Sequence, residues 1–586
     1  MSAISPADRG SEREPLLNHR SPTTDTTTGV NGQNSESPTR KPNTLQVSRR
    51  TLIWILIGLW SAVFLGALDM FILTCNCFLV GTIVATLISP IGSYFQQSHK
   101  SSYLGTSYLL SVCCFTPLYG RLSDILGRKG AMLLALTLFT SGTLFCGLAP
   151  SMDLLILARA IAGMGGGGMM TVSSITLTDL IPLKQRGLFQ GLANILFGLG
   201  AGLGGPLGGW INDSIGWRWA FLFQIPFLLL SMVLVALKVN IQLPWEVQRQ
   251  STYDKLRRVD WLGSLTLVGS VGSLLLGVSL KTSEDLAWSS PIVWGLLVAS
   301  VVSTSLFVFV EAKWSSAPVL PMRLLLRRTP MMVALANFFL SVTSFSMLYN
   351  VPLYFSAVRL TTSSQAGLHL LPNSIALSIG SVFAGWMMRR TGKLYVLTLA
   401  SAVISVISCT LVATWNENTP TFDLWFDIIP NGFGIASLLT TTLIALIASV
   451  PREDMAVATG ISYLFRTSGQ VLGVSLTGAL VQMILMRQLR EKITGPGSQE
   501  LIQRIRHETN FIAMLPPDIR KAATDSYAMA LRAAFIFQVI VAFCMLLACL
   551  PIEENPLPGS HEEQDEQDRR HRERQNPRGI SGSPPG

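Results

Sequence analysis

Apolar residues in this chain come in blocks of about 20, separated by short segments that carry Arg and Lys. A helix needs about that length to cross a hydrocarbon core some 30 Å thick. Inside a bilayer the backbone polar groups of such a block have no water to bond to, so the block must close its hydrogen bonds within itself, as an α-helix does. Fourteen candidate spans follow, at roughly 52–91, 102–119, 130–148, 153–176, 188–211, 219–238, 262–280, 291–311, 331–351, 367–388, 394–415, 424–449, 457–486 and 528–550. Charged residues make up only 13% of the chain, against roughly a quarter in soluble proteins. The expected fold class is therefore all-α and integral to a membrane, with one polytopic domain in place of several soluble ones.

Basic residues cluster after even-numbered spans: Arg121, Arg128, Lys129, Lys184, Arg186, Arg257, Arg258, Arg389, Arg390 and Lys393. Short loops after odd-numbered spans hold little beyond Lys100, Arg218, Lys281 and Arg359. The positive-inside rule puts the even loops and both termini in the cytosol. Orientation thus accounts for the net charge of +10, and the absence of a basic stripe with interleaved aromatics argues against a nucleic-acid partner. All eight cysteines lie in apolar blocks without the Cys/His spacing of a zinc site, so buried thiols and no metal are expected. No Walker lysine motif is present, which leaves ATP without a recognisable site.

Residues 1–51 and 551–586 are rich in Ser, Thr, Pro and charge, a composition that buries too little apolar surface to offset ordering entropy. Both are expected to be disordered cytosolic tails. The chain opens with no short apolar region and cleavage site, so the first span is expected to direct insertion. Within the first tail, Glu12 stands four residues before the pair Leu16 and Leu17, the pattern of an acidic dileucine signal that a sorting adaptor would read.

An internal repeat organises the spans. The second ends in Gly120-Arg121-Leu122-Ser123-Asp124-Ile125-Leu126-Gly127-Arg128-Lys129, the tenth in Gly385-Trp386-Met387-Met388-Arg389-Arg390-Thr391-Gly392-Lys393. Both place glycines seven apart before a basic residue, at an offset of 265. Two six-helix halves, 52–240 and 331–550, would then flank a linker, 241–330, that carries two extra spans. Duplicated halves with a site between them are a common architecture for alternating-access transport.

The segment Gly120 to Lys129 resembles the major facilitator superfamily, whose signature between helices 2 and 3 reads G-x-L-x-D-x-x-G-R-K. The resemblance covers about residues 50–550 and implies the major facilitator fold, here as 6+2+6 helices. Fourteen spans with Gly-Pro-x-Gly-Gly in the segment Leu196 to Gly209 resemble the drug:proton antiporter branch with fourteen helices. Finer strings, Trp217-Arg218-Trp219-Ala220-Phe221-Leu222-Phe223-Gln224 and Tyr463-Leu464-Phe465-Arg466, resemble fungal vacuolar basic amino acid transporters.

Asp124 and Arg128, four apart, meet on one helical face. Their bland role is to set topology; the resemblance implies that Gly120, Asp124, Gly127, Arg128 and Lys129 latch the halves on the cytosolic side. Gly202, Gly205, Pro206 and Gly209 fall in the stretch that marks antiporters in the family, where they are thought to control leak and bending; close helix packing explains the glycines equally well. A charge at membrane depth is a functional candidate by default, which singles out Asp69, Arg159 and Arg466. Arg159 precedes Gly163 and Gly165 in the family's R-x-x-x-G-x-G pattern, which is linked to proton transfer. Arg466 is placed to pair with a substrate carboxylate or with an acid across the cavity, and Asp69 is one such acid. Family members follow Leu-Asp almost at once with Thr-Ile-Val, whereas Met70 to Val80 intervene here before Gly81-Thr82-Ile83-Val84. Eleven residues turn a helix by about three turns plus 20° and lengthen it by about 16 Å. Either Asp69 lies toward the non-cytosolic end with a break nearby, or the eleven residues reflect a gene-model error.

The expected function is proton-coupled antiport, without a cofactor and driven by the proton gradient, of basic amino acids across the vacuolar membrane. The alternative is a plasma-membrane exporter of drugs or toxins, and a distant third is a nutrient sensor that does not transport. The expected partners are a cationic amino acid, the bilayer and the adaptor, and the chain is expected to act as a monomer and not as an enzyme.

Overall fold

The computed structural model describes residues 49–557 apart from 75–90, 93, 98–101, 240–259, 284–289, 315–319, 362–367, 417, 452–453, 496, 508 and 556. The dileucine residues Glu12, Leu16 and Leu17 lie outside the described residues, as do 75–80 of the Met70 to Val80 segment.

The described secondary structure is helical throughout. In chain order the described helices of six or more residues are α1 (Arg49–Thr74), α2 (Ser102–Leu148), α3 (Met152–Leu180), α4 (Leu183–Ile215), α5 (Trp217–Leu222), α6 (Ile225–Lys238), α7 (Trp261–Ser283) and α8 (Pro291–Lys313), then α9 (Arg328–Ala357), α10 (Leu371–Thr391), α11 (Tyr395–Ala413), α12 (Thr421–Phe426), α13 (Ile429–Ser449), α14 (Met455–Lys492), α15 (Ser498–His507) and α16 (Pro517–Cys549). Local chemistry sets several of the ends. Pro291 and Pro517 open α8 and α16, where the missing N–H is no loss. Ser151 caps α3 by accepting from the Leu154 N–H. Gly216 (φ +94°) and Gly392 (φ +69°) end α4 and α10, in a region of backbone space costly for other residues.

Among the described residues, twelve helices are long and apolar enough to cross a membrane. One of them, Tyr103–Leu148, has 46 residues, about 69 Å at 1.5 Å per residue. That is too long for one crossing, and the backbone leaves helical geometry at Gly127 (φ +82°, ψ +161°), so two crossings meet there. α4, with 33 residues, is not among the twelve. Counting both features, the arrangement is consistent with the fourteen spans expected.

α3 packs against α2, α9 against α14, and α10 against α13. Two helix pairs join the first set of helices to the last: α4 with α10, and α2 with α14. α7 and α8 pack on one another through Ser270 and Thr304 (Oγ to Oγ1, 2.6 Å), and α7 rests on α2 and α14. α8 turns Trp294, Val298, Val301, Val302 and Phe309 outward, and only 17% of its apolar window is buried. A face that apolar is accommodated by lipid.

The stretch 487–527 is largely helical: α14 runs on to Lys492, α15 follows, and α16 begins at Pro517. Ile502, Ile505 and Ile512 are buried beneath this cap, and Tyr527 donates to the Ile505 carbonyl at 3.0 Å. The carboxyl-terminal tail does not leave the bundle at 551. Ile552 and Leu557 are buried, and the Glu554 carboxylate accepts the Leu394 N–H, because the apolar residues within this short segment find the end of the helix bundle to cover.

Candidate functional site

Asp69 lies 20 residues into α1, about 30 Å from its amino-terminal start, and a break beyond Thr74 would fall outside the described residues. Asp69 and Arg159 are both fully buried, with Arg159 Nη1 2.6 Å from Asp69 Oδ2. The pair has its own shell. The Arg159 Nε faces the Leu104 carbonyl at 3.4 Å, the guanidinium lies 4.3 Å from the centre of the Tyr108 ring, and the Gln224 amide donates to Asp69 Oδ1 at 3.4 Å. Arg159 is seven residues from the start of α3, about 10 Å below its non-cytosolic end. The structure brings Asp69 to Arg159 and not to Arg466: of the two arginines, only Arg159 sits on the helix that passes Asp69 at this depth. Gln224 and Tyr108 were missed in the sequence. Gln224 is the last residue of the Trp217 to Gln224 string, and a lone amide at the end of an aromatic run was the available signal.

At the cytosolic end Gly127 takes the positive φ that turns α2 back on itself. Arg128 then bonds Asp124 Oδ1 (2.7 Å) and Asp179 Oδ2 (2.6 Å) at once, and Ser123 Oγ at 3.0 Å. Asp179, at the end of α3, went unrecognised because it lies just past the apolar block. Lys129 follows in the turn, half-buried.

Gly120 faces the other half. A methyl group there would stand 2.9 Å from the Ala456 carbonyl oxygen at the start of α14. Gly385, the repeat partner of Gly120, abuts the Gly187 backbone at the start of α4. Both repeat glycines therefore sit where a helix of the opposite half begins. Further contacts between the halves run from the cytosolic end to mid-length: Gly191 against Ser381, Asn194 Nδ2 to Ser381 Oγ at 2.8 Å, and Cys113 Sγ to Ser468 Oγ at 3.3 Å. These contacts hold the two halves together at this end of the bundle.

Above those contacts lies a cavity of about 30 Å³, room for a water or two but not for an amino acid. It is lined by Trp60 and Val63 of α1, Met170, Ser173, Ser174 and Leu177 of α3, Gln190, Ala193, Asn194 and Phe197 of α4, and Tyr463 and Arg466 of α14. Arg466 and Tyr463 thus reach from the second half into a cavity otherwise walled by the first.

Gly202, Gly205, Pro206 and Gly209 all fall on α4. Nearby, Gly200 admits the α1 backbone, since a methyl group there would meet the Phe64 carbonyl at 2.6 Å. Gly163 and Gly165 similarly press α3 onto the two arms of α2.

The family model for the Major Facilitator Superfamily matches residues 70–474, and the chain belongs to that family. It is a transporter and not an enzyme. It is 39% identical over 519 residues to the multidrug resistance protein fnx1 of Schizosaccharomyces pombe, covering 88% of this chain and 94% of that one. It is 33% identical over 527 residues to the vacuolar membrane amino acid uptake transporter fnx2 of the same organism, covering 89% and 88%. Vacuolar basic amino acid transporter 2 of Saccharomyces cerevisiae is 31% identical over 459 residues, covering 77% and 97%. In fold, the chain is similar to the crystal structure of the human organic anion transporter MFSD10, with a TM-score of 0.53 at 13% identity, covering 84% of this chain and 99% of that one.

Proposed function

We propose that this transporter is a proton-coupled antiporter that carries basic amino acids from the cytosol into the vacuole, as a monomer in the vacuolar membrane, with the proton gradient as its energy source and no cofactor. The observation that carries proton coupling is the buried Asp69–Arg159 pair near the non-cytosolic end. Of the two groups only the carboxylate can change charge, because a guanidinium stays protonated in proteins. A proton arriving from the lumen on Asp69 cancels the attraction that holds α1 to α3. The same two helices supply Trp60, Val63, Ser173 and Ser174 to the cavity, so the charge of Asp69 and the shape of the cavity are linked through α1 and α3. The paired acids on Arg128 and the glycine contacts at Gly120 and Gly385 would hold the cytosolic side shut in this state and part when the halves rock the other way.

The substrate class is supported by the relatives named as vacuolar amino acid transporters. A second reading, export of drugs at the plasma membrane, is favoured by the 39% identical relative named for multidrug resistance.

Uptake of labelled lysine into acidified vesicles that carry the protein, with and without a proton ionophore, tests the proposal. Ionophore-sensitive lysine accumulation is expected. Accumulation of a cationic drug without lysine, or lysine movement indifferent to the ionophore, would overturn it, and a fluorescent fusion separates the two membranes.

A further inference from the structure

We propose that Arg466 anchors a carboxylate of the transported molecule, so that the cavity selects small molecules that carry an acid group, amino acids among them, over cations that lack one. This deepens the amino acid reading of the same cavity and rests on it for the choice of probes.

Position comes first. Arg466 is eleven residues into α14, about 16 Å from its cytosolic start, near the middle of a core about 30 Å thick. A guanidinium there is costly unless something answers its charge. Nothing acidic does so among the described residues: the cavity lining contains no carboxylate. The buried acid Asp69 is held by Arg159, and Asp124 and Asp179 are both held by Arg128. Arg466 instead lies 5.5 Å from the centre of the Tyr463 ring on its own helix, a contact that leaves the planar N–H edge free to donate.

That edge is what a carboxylate matches, with two parallel charge-assisted bonds. Opposite it stand neutral polar groups of the first half. Gln190 Nε2 donates to Asn194 Oδ1 at 3.4 Å, and the buried Ser174 Oγ has no hydrogen-bond partner among the described residues. These groups suit the amino end and backbone of an amino acid without adding charge. A cation without an acid group would meet an uncompensated positive charge in a low-dielectric space. Because Arg466 belongs to one half and the amide and hydroxyl groups to the other, a ligand bound to both ties the halves together, which links binding to closure.

The test uses the purified full chain in detergent, with ligand-dependent thermal stabilisation as the readout. The probes are matched pairs that differ only in the acid group: L-lysine and L-lysinamide, L-histidine and L-histidinamide, L-leucine and L-leucinamide, with cadaverine as a pure dication. At least one acid should stabilise the wild-type protein at a concentration at least tenfold below that of its amide, and cadaverine should have no effect. Arg466→Gln should erase that difference, and Arg466→Lys, which keeps the charge without the fork, should retain a reduced preference for the acid. Equal effects of acid and amide in every pair, or no effect of any acid, would overturn the proposal, whatever the variants do. Stabilisation by leucine and not by lysine would support Arg466 as the anchor and defeat the basic amino acid reading. Lysinamide accumulated as well as lysine in the ionophore assay would do the reverse.

Discussion

Neutralising Asp69 alone should destabilise this protein more than neutralising it together with its partner. Asp69→Asn keeps the size of the side chain but leaves the fully buried Arg159 without a counter-charge, among the Leu104 carbonyl at 3.4 Å, the Tyr108 ring, the Cys146 thiol and a neutral amide. Breaking a buried pair from one side costs about 3–5 kcal/mol, because the remaining charge stays desolvated without an answer. At about 1 °C per kcal/mol for a body of some 500 residues, the melting temperature should fall by roughly 3–5 °C. Adding Arg159→Gln removes the stranded charge and should recover most of that loss. Ionophore-sensitive uptake should be absent from both variants, since neither keeps a carboxylate that can take the proton. Thermal unfolding of the purified variants, run beside vesicle uptake, separates the two effects. An Asp69→Asn protein that melts with the wild type would refute the buried-pair reasoning, and a double variant with normal proton-driven uptake would remove Asp69 from the coupling mechanism.

Asp124→Asn should slow uptake severalfold while leaving expression and sorting intact, because Arg128 keeps Asp179 at 2.6 Å and so is not left without a counter-charge; wild-type uptake rates would reduce the motif to a topology signal. Gly385→Ala puts a methyl group against the Gly187 backbone and should wedge the cytosolic side open, which a Ser381→Cys reporter would register as faster labelling by a cytosolic thiol reagent; unchanged labelling would count against the closure proposed at that contact. Replacing Leu16 and Leu17 with Ala should move a fluorescent fusion from vacuole to plasma membrane, since an adaptor reads a tail independently of the folded domain, and unchanged vacuolar fluorescence would dispose of the dileucine signal.

Much of the membrane architecture was legible because bilayer thickness imposes one length and one periodic chemistry on each span. Asp69, Arg159 and Arg466 could be picked out as candidates because charge in an apolar block is rare and costly. Their partners could not be read in the same way. Asp69 and Arg159 are 90 residues apart and Arg466 is a further 307 along the chain, so nothing local distinguishes a pairing of Asp69 with one arginine from a pairing with the other. Asp179 and Gln224 were overlooked for a related reason: a single polar residue at the edge of an apolar block signals the end of a span as readily as a partner for a charge.

Sequence by itself determined the all-helical class, the duplicated Gly120 and Gly385 motifs and the short list of intramembrane charges, each being a property of composition or spacing along one segment. Tertiary structure decided the rest. It assigned Asp69 to Arg159 and left Arg466 facing a cavity without an acid, and it set each repeat glycine against the start of the opposite half's helix. Such facts depend on which faces of distant helices meet, and that choice is made by close packing across the whole bundle, where one methyl group decides whether two backbones can touch.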